Sequence, residues 1–120
     1  MPIDVPPGIP PQLLDAGCET ISGELAWQYP AILEVVAAAA VRGYTALGGE
    51  VFHDEGGRLD YMRGDMYCGN WHLDMKPDEQ SWAEYLAESV AVTKRYIEAF
   101  VRRNDASLWY APTFATDIRE

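Results

Sequence analysis

Positive charge is scarce in this sequence. Nine lysines and arginines stand against nineteen aspartates and glutamates, a formal net charge of −10 over 120 residues. Binding a polyanion draws on clustered Lys and Arg, so nucleic acid is excluded as the expected ligand, and an anionic substrate finds little to hold it. The balance suits a basic partner, whose approach an acidic surface accelerates, although such a surface also serves solubility alone. Cysteine is scarce too. Cys18 and Cys68 make one pair at most, which is no disulfide framework, and both are expected to be reduced. Long apolar runs are absent: the longest, Ile32 to Val41, is interrupted by Glu34 and falls short of the roughly 20 residues of a membrane span. It reads as a buried helix. The opening MPIDVPPGIPPQ has neither a basic start nor an apolar middle, so no secretory signal is expected and the protein is assigned to the cytoplasm.

What the chain does have is apolar and aromatic mass. Residues of the apolar class make up 48%, with seven tyrosines, four tryptophans and three phenylalanines, enough for one real core and against disorder. Its acids are unevenly spread. Between Glu50 and Glu79 lie Glu50, Asp54, Glu55, Asp60, Asp65, Asp74, Asp78 and Glu79, against Arg58, Arg63 and Lys76. From Gln80 onward, acids and bases nearly cancel.

Five of the eight prolines fall in residues 1–12, and residues 1–24 read as a proline-rich lead-in to a single α+β domain at 25–120. Within the lead-in, PQLLDAG can close one helical turn that Gly17 ends. From Gln28 to Arg42 the spacing of Ile32, Val35, Val36, Ala39 and Ala40 predicts a helix with Pro30 in its first turn and Gly43 as its stop. The period then changes. YTALGGEVF alternates as a strand, EGG marks a tight turn, RLDYM is a half-exposed strand, and Tyr67, Trp71 and Leu73 offer a third strand broken by CGN. A long helix over about residues 78–104 follows, with Asp78 as N-cap and a stripe of Trp82, Tyr85, Leu86, Ser89, Val90, Thr93, Ile97, Phe100 and Val101. Ser107 to Phe114 reads as a last strand, with Pro112 placing its end at an edge or bend. The expected fold is α+β: a small antiparallel sheet of three to four strands packed by two main helices.

Chemistry is thin along this chain. Gly48-Gly49 lacks the Lys-Ser/Thr and the following helix of a phosphate loop, so a bulge or the close approach of another backbone is the better reading. His53, His72, Cys18 and Cys68 show no metal-ligand spacing, and His53 and Asp54, being adjacent on a strand, point to opposite faces. No catalytic, cofactor-binding or metal-binding residue is assigned. Cys68 with His72 remains the pair a small enzyme would use. Trp82, Tyr85, Tyr96 and Phe100 lie on the helix stripe and read as core. Tyr67, Trp71 and Trp109 sit among acids in glycine- or proline-marked segments, where they serve either the core or a protein-binding hot spot. The candidate partner-binding set is Glu50, Asp54, Glu55, Asp60, Asp65, Tyr67, Trp71 and Asp74.

Several of these pieces together resemble one family. Leu47-Gly48-Gly49 followed by an acid and Val51, the segment around Trp71, and Ser81-Trp82 with Tyr85 look like the immunity protein 40 family of bacterial polymorphic-toxin systems, over about Leu25 to Phe114. The family pattern often has Asp where this chain has Glu50, and the proline-rich start carries none of the resemblance. The resemblance implies a non-enzymatic protein that binds and neutralises a cognate toxin domain. The acids and aromatics between Glu50 and Glu79 add the expectation that it does so by occluding the toxin's active site or substrate cleft. The basic cleft expected of the protein partner and the exclusion of nucleic acid rest on the acidic charge, and the exclusion of a membrane on the absence of a long apolar run. The resemblance transfers no binding residues and names no cofactor. A monomer and a homodimer are both compatible with it, and a structural or regulatory subunit that dimerises through a sheet edge is the other non-enzymatic reading.

Overall fold

A computed structural model describes residues 5–103 and 108–116. In chain order the elements are α1 (Pro11–Ala16), β1 (Cys18–Glu19), β2 (Leu25–Gln28), α2 (Ala31–Val41), β3 (Thr45–Glu55), β4 (Arg58–Asp60), β5 (Met62–Arg63), β6 (Met66–Tyr67), β7 (Asn70–His72), α3 (Trp82–Arg103) and β8 (Trp109–Ala115). The class is α+β, as expected.

The long strand β3 is the trunk of the sheet. Along one side it pairs antiparallel with β8, from Thr45 opposite Ala115 to Phe52 opposite Trp109. Its other side is shared: β7 pairs with Gly48 to Glu50, and β4 with His53 to Glu55. Strand β2 lies outside β8 and β1 outside β2, so the sheet has six strands among the described residues. That is more than the three to four expected, because β1 and β2 are only two and four residues long and show no readable period. The sheet also curls until its ends meet. Thr20, just past β1, bridges to Leu59 of β4, and Ile21 N donates to the Leu59 carbonyl at 3.0 Å. The outer edge of β4 is thereby covered.

This curl gives the molecule two cores. Val51 and Phe52 are consecutive on β3 and therefore face opposite sides of the sheet. On the Val51 side, Trp27, Trp71, Tyr110 and Phe114 pack against Ile32, Val35, Val36 and Ala39 of α2 and against Ile97 and Phe100 of α3. Ile9, from the proline-rich segment, is buried in the same cluster, and Trp27 Nε1 donates to the Leu13 carbonyl. On the Phe52 side, Ala26, Leu59 and Ala111 make a smaller cluster inside the curl, with Cys18 and Trp109 at its margin.

Helix α2 begins at Ala31, with Pro30 as its N-cap and outside the first turn, and Ala40 is half-buried rather than part of the buried face. Helix α3 begins at Trp82, not after Asp78. Glu84 N donates to Ser81 Oγ at 3.1 Å, and Ser81 N donates to Glu84 Oε1 at 3.0 Å. This reciprocal box satisfies two donors that a lone Asp78 cannot reach. Tyr85, Ser89, Thr93, Ile97 and Phe100 form the buried stripe, whereas Tyr96 is exposed and is not core. The expected helix end at Asn104 and strand start at Ser107 lie outside the described residues. Strand β8 is interior rather than an edge, and it continues past Pro112. Proline is tolerated there because the β2 ladder reaches only Trp109 and Tyr110, so on that side no partner waits for its missing N–H.

Candidate functional site

The glycine pair sets the position of everything around Glu50. At Gly48, where φ is +146°, a Cβ would overlap the Trp71 carbonyl oxygen and lie 2.8 Å from His72 Cα. At Gly49 it would overlap the Ala111 carbonyl oxygen and lie 2.5 Å from the Trp71 ring. The register shifts between Ala46 and Gly48, so the bulge and the close backbone approach are both present. Three strands converge at this point because neither residue has a side chain.

Glu50 follows on the face away from the helices. Its Oε2 accepts the Tyr67 hydroxyl at 2.9 Å, and Asn70 Nδ2 donates to the same hydroxyl at 3.2 Å. Partial burial, with the Glu50 carboxylate adding to it and the Asn70 bond offsetting it, holds the Tyr67 phenol above its usual range. Tyr67 therefore stays protonated and is the donor of the pair. Its ring meets Tyr61 edge to face, and Tyr61 lies parallel to Phe52.

The β3–β4 turn carries the next acids. Gly56 and Gly57 have φ of +63° and +91°, as a two-residue hairpin turn requires, and Asp54 Oδ1 accepts Gly57 N at 2.7 Å. Glu55 is exposed and lies 3.6 Å from Nδ1 of buried His53, whose Nε2 faces the Met62 carbonyl. Asp60 accepts Met62 N at 2.9 Å and sits 3.7 Å from Arg58. Asp65 stands exposed in the turn of the β5–β6 ribbon. Within the expected set the structure joins Tyr67 to Glu50 directly; Asp54 and Glu55 lead into the β3–β4 turn on opposite faces of the strand, Asp60 ends β4 and Asp65 stands in the β5–β6 turn.

Two of the expected residues do not join them. Trp71 is only 3% exposed and packs against Tyr110 at 6.2 Å, so its indole belongs to the core and is not part of a partner surface. Asp74 lies beyond β7, toward the opposite end of β3, on the order of 25 Å from the β3–β4 turn at the usual strand rise. There its carbonyl accepts the Tyr85 hydroxyl at 2.6 Å. The sequence reading also omitted Tyr61, Met66 and Asn70 from the set, although all three are exposed beside Tyr67. Gly64-Asp65 is the signal that locates them: a two-residue turn there puts Met62 opposite Tyr67.

The remaining candidates stay apart. Cys68 Sγ lies 4.0 Å from the Asp60 carbonyl, and burial, partly offset by Arg63, pushes the thiol up. That is the reverse of an activated nucleophile. His72 is exposed opposite Gly48, and no hydrogen bond or ion pair joins it to Cys68 among the described residues. Nor do the described residues bring three or more His, Cys, Asp or Glu within reach of one metal ion. None of the described helices is long and apolar enough to cross a membrane. A cleft of about 380 Å³ opens beside Tyr67, lined by Arg63, Met66, Tyr67, Cys68 and Leu108.

Neither the characterised proteins nor the solved structures yielded a match to this chain. The profile of one protein family does match, immunity protein 40, over residues 12–114. The matched span contains the glycine pair, Glu50, both turns, Trp71 and the capped start of α3, and it reaches upstream of Leu25 into the segment that packs Leu13 against Trp27. The chain belongs to the immunity protein 40 family.

Proposed function

We propose that this protein binds a cognate toxin domain in the cytoplasm and neutralises it by covering its active site or substrate cleft, without performing chemistry of its own. Family membership supports an immunity function against a toxin. One observation supports the mode of action: exposed acids stand at the β3–β4 and β5–β6 turns, and just past the second turn the exposed Tyr67 is held through its hydroxyl by Glu50 and Asn70. Carboxylates so placed suit a basic groove, and in a toxin that cleaves nucleic acid they stand where the substrate's phosphates would stand. Long-range attraction then speeds association, and burial of the aromatic anchor slows release.

Co-expression with the toxin domain encoded beside this gene tests the reading. Cells making both proteins are expected to grow, and continued killing removes the proposal. The surface is tested by reversing Asp54, Glu55, Asp60 and Asp65 to lysine together. At low salt the association rate is expected to fall by about tenfold or more. An unchanged rate would show that this surface does not steer the partner.

A further inference from the structure

Three rings step outward from the smaller core. Phe52 is fully buried, Tyr61 lies parallel to it with centroids 6.4 Å apart, and Tyr67 meets Tyr61 at 6.4 Å and 71°. Exposure rises along the series, to 37% at Tyr61 and 47% at Tyr67. The outermost ring is nevertheless fixed through its hydroxyl, which donates to Glu50 and accepts from Asn70. Two tyrosines near a right angle, with a carboxylate beside them, make an open corner of electron-rich faces and negative charge. Arg63 lines the neighbouring cleft, yet among the described residues no cation is paired with Glu50 or set over either tyrosine ring. The charge over a ring is Arg103 on Phe100 at 5.1 Å. Glu50 Oε2 takes the Tyr67 hydroxyl, and Oε1 has no hydrogen-bond partner within the described chain.

We propose that this corner anchors the partner and receives an arginine side chain of the toxin, its guanidinium against the Tyr61 and Tyr67 rings and hydrogen-bonded to Glu50. The inference rests on the immunity reading and names the chemical group that the acidic surface accepts. Arginine fits better than lysine because a planar guanidinium stacks on an aromatic face while its edge donates to a carboxylate, and it sheds water more readily than an ammonium. Met66, 68% exposed at the mouth of the neighbouring cleft, offers an apolar bed for the side-chain stem. Asp65 stands exposed in the turn of the same ribbon. Asp60 is already faced by Arg58 and the cleft by Arg63, so Glu50 is the carboxylate open to the incoming guanidinium.

Two capped tripeptides test this without any toxin: glycyl-arginyl-glycine, and the same peptide with citrulline, which keeps the shape and loses the charge. Binding is followed through the tyrosine ring signals by NMR. The arginine peptide is expected to saturate in roughly the millimolar range and the citrulline peptide to bind about tenfold more weakly. Glu50→Gln and Tyr67→Leu are each expected to weaken the arginine peptide by about fivefold to tenfold with the melting temperature unchanged, whereas Tyr67→Phe keeps most of the binding. Equal binding of the two peptides, or arginine binding indifferent to Tyr67→Leu, overturns the proposal. A failure here leaves protection in co-expression standing, whereas lost protection with intact arginine binding removes the immunity reading and not the corner.

Discussion

Tyr67 on β6 and Trp71 on β7 stand four residues apart in one acidic, glycine-marked segment, and the fold treats them in opposite ways. Trp71 is buried against the Gly49 backbone and Tyr110, while Tyr67 is about half exposed and held through its hydroxyl. The difference comes from what each short strand pairs with. Strand β7 joins the trunk at Gly48 to Glu50, so its central residue turns to the helix side and is covered. Strand β6 pairs with β5 in a separate two-stranded ribbon. Such a ribbon has no second layer to bury its side chains. Burial here follows strand pairing, and residue type does not predict it.

The sharpest way to break this comparison is to empty the buried side. Trp71→Ala is expected to cost about 3–5 kcal/mol in chemical denaturation, as deletion of a large core side chain does. A loss within about 0.5 kcal/mol, the range of an ordinary surface change, would put Trp71 back on the surface. A smaller effect is expected where the covering helix starts. Ser81→Ala removes half of the box that caps α3 and should cost about 1 kcal/mol by the same measurement, with partner binding retained. The exposed side should respond least in stability and most in recognition. Tyr67→Leu is expected to shift stability by no more than about 0.5 kcal/mol while weakening partner binding.

Cys68 lies between the two aromatics and reports which region claims it. Burial raises its thiol pKa, so less thiolate is present at any pH below that value than in an unperturbed cysteine. Its reaction with an alkylating probe at mildly alkaline pH is therefore expected to be slower than that of free cysteine. A rate equal to or above the free thiol would assign Cys68 to the open ribbon and revive it as a working group.

Much of the fold was legible because long elements repeat a period. The stripe of α3 and the apolar face of α2 identify themselves by spacing, and the two glycines after Glu55 dictate a hairpin turn. The start of α3 was misplaced for a reason visible in the residues. Asp78 and Ser81 both satisfy the preference for an N-cap, and the Glu three residues after Ser81 decides between them. Tyr96 shows the opposite error: three residues after Thr93 and next to Ile97 it reads as core, yet the stripe continues through Ile97 and Phe100 and the Tyr96 ring is exposed. For the proposed partner surface the charges are readable from the sequence, whereas which residues lie near one another is not. Asp74 lies near Trp71 in sequence yet far from the β3–β4 turn in space, because β7 runs antiparallel to β3 and carries the chain away from the hairpin.

By itself the sequence determined the class of the molecule: an acidic α+β chain with no catalytic spacing, one apolar alanine-rich helix and one long amphipathic helix, and a strand interrupted by a glycine pair. These follow from local rules of period, turn and charge that act within a few residues. Tertiary structure alone decided that the curled sheet closes from Thr20 to Leu59, that Trp71 enters the core, and that Tyr61, Tyr67 and Glu50 meet at one corner. Each of those outcomes depends on which distant strand pairs with which. Composition and spacing do not encode that choice, because strands as short as β1, β6 and β7 have too few residues to express a preference of their own.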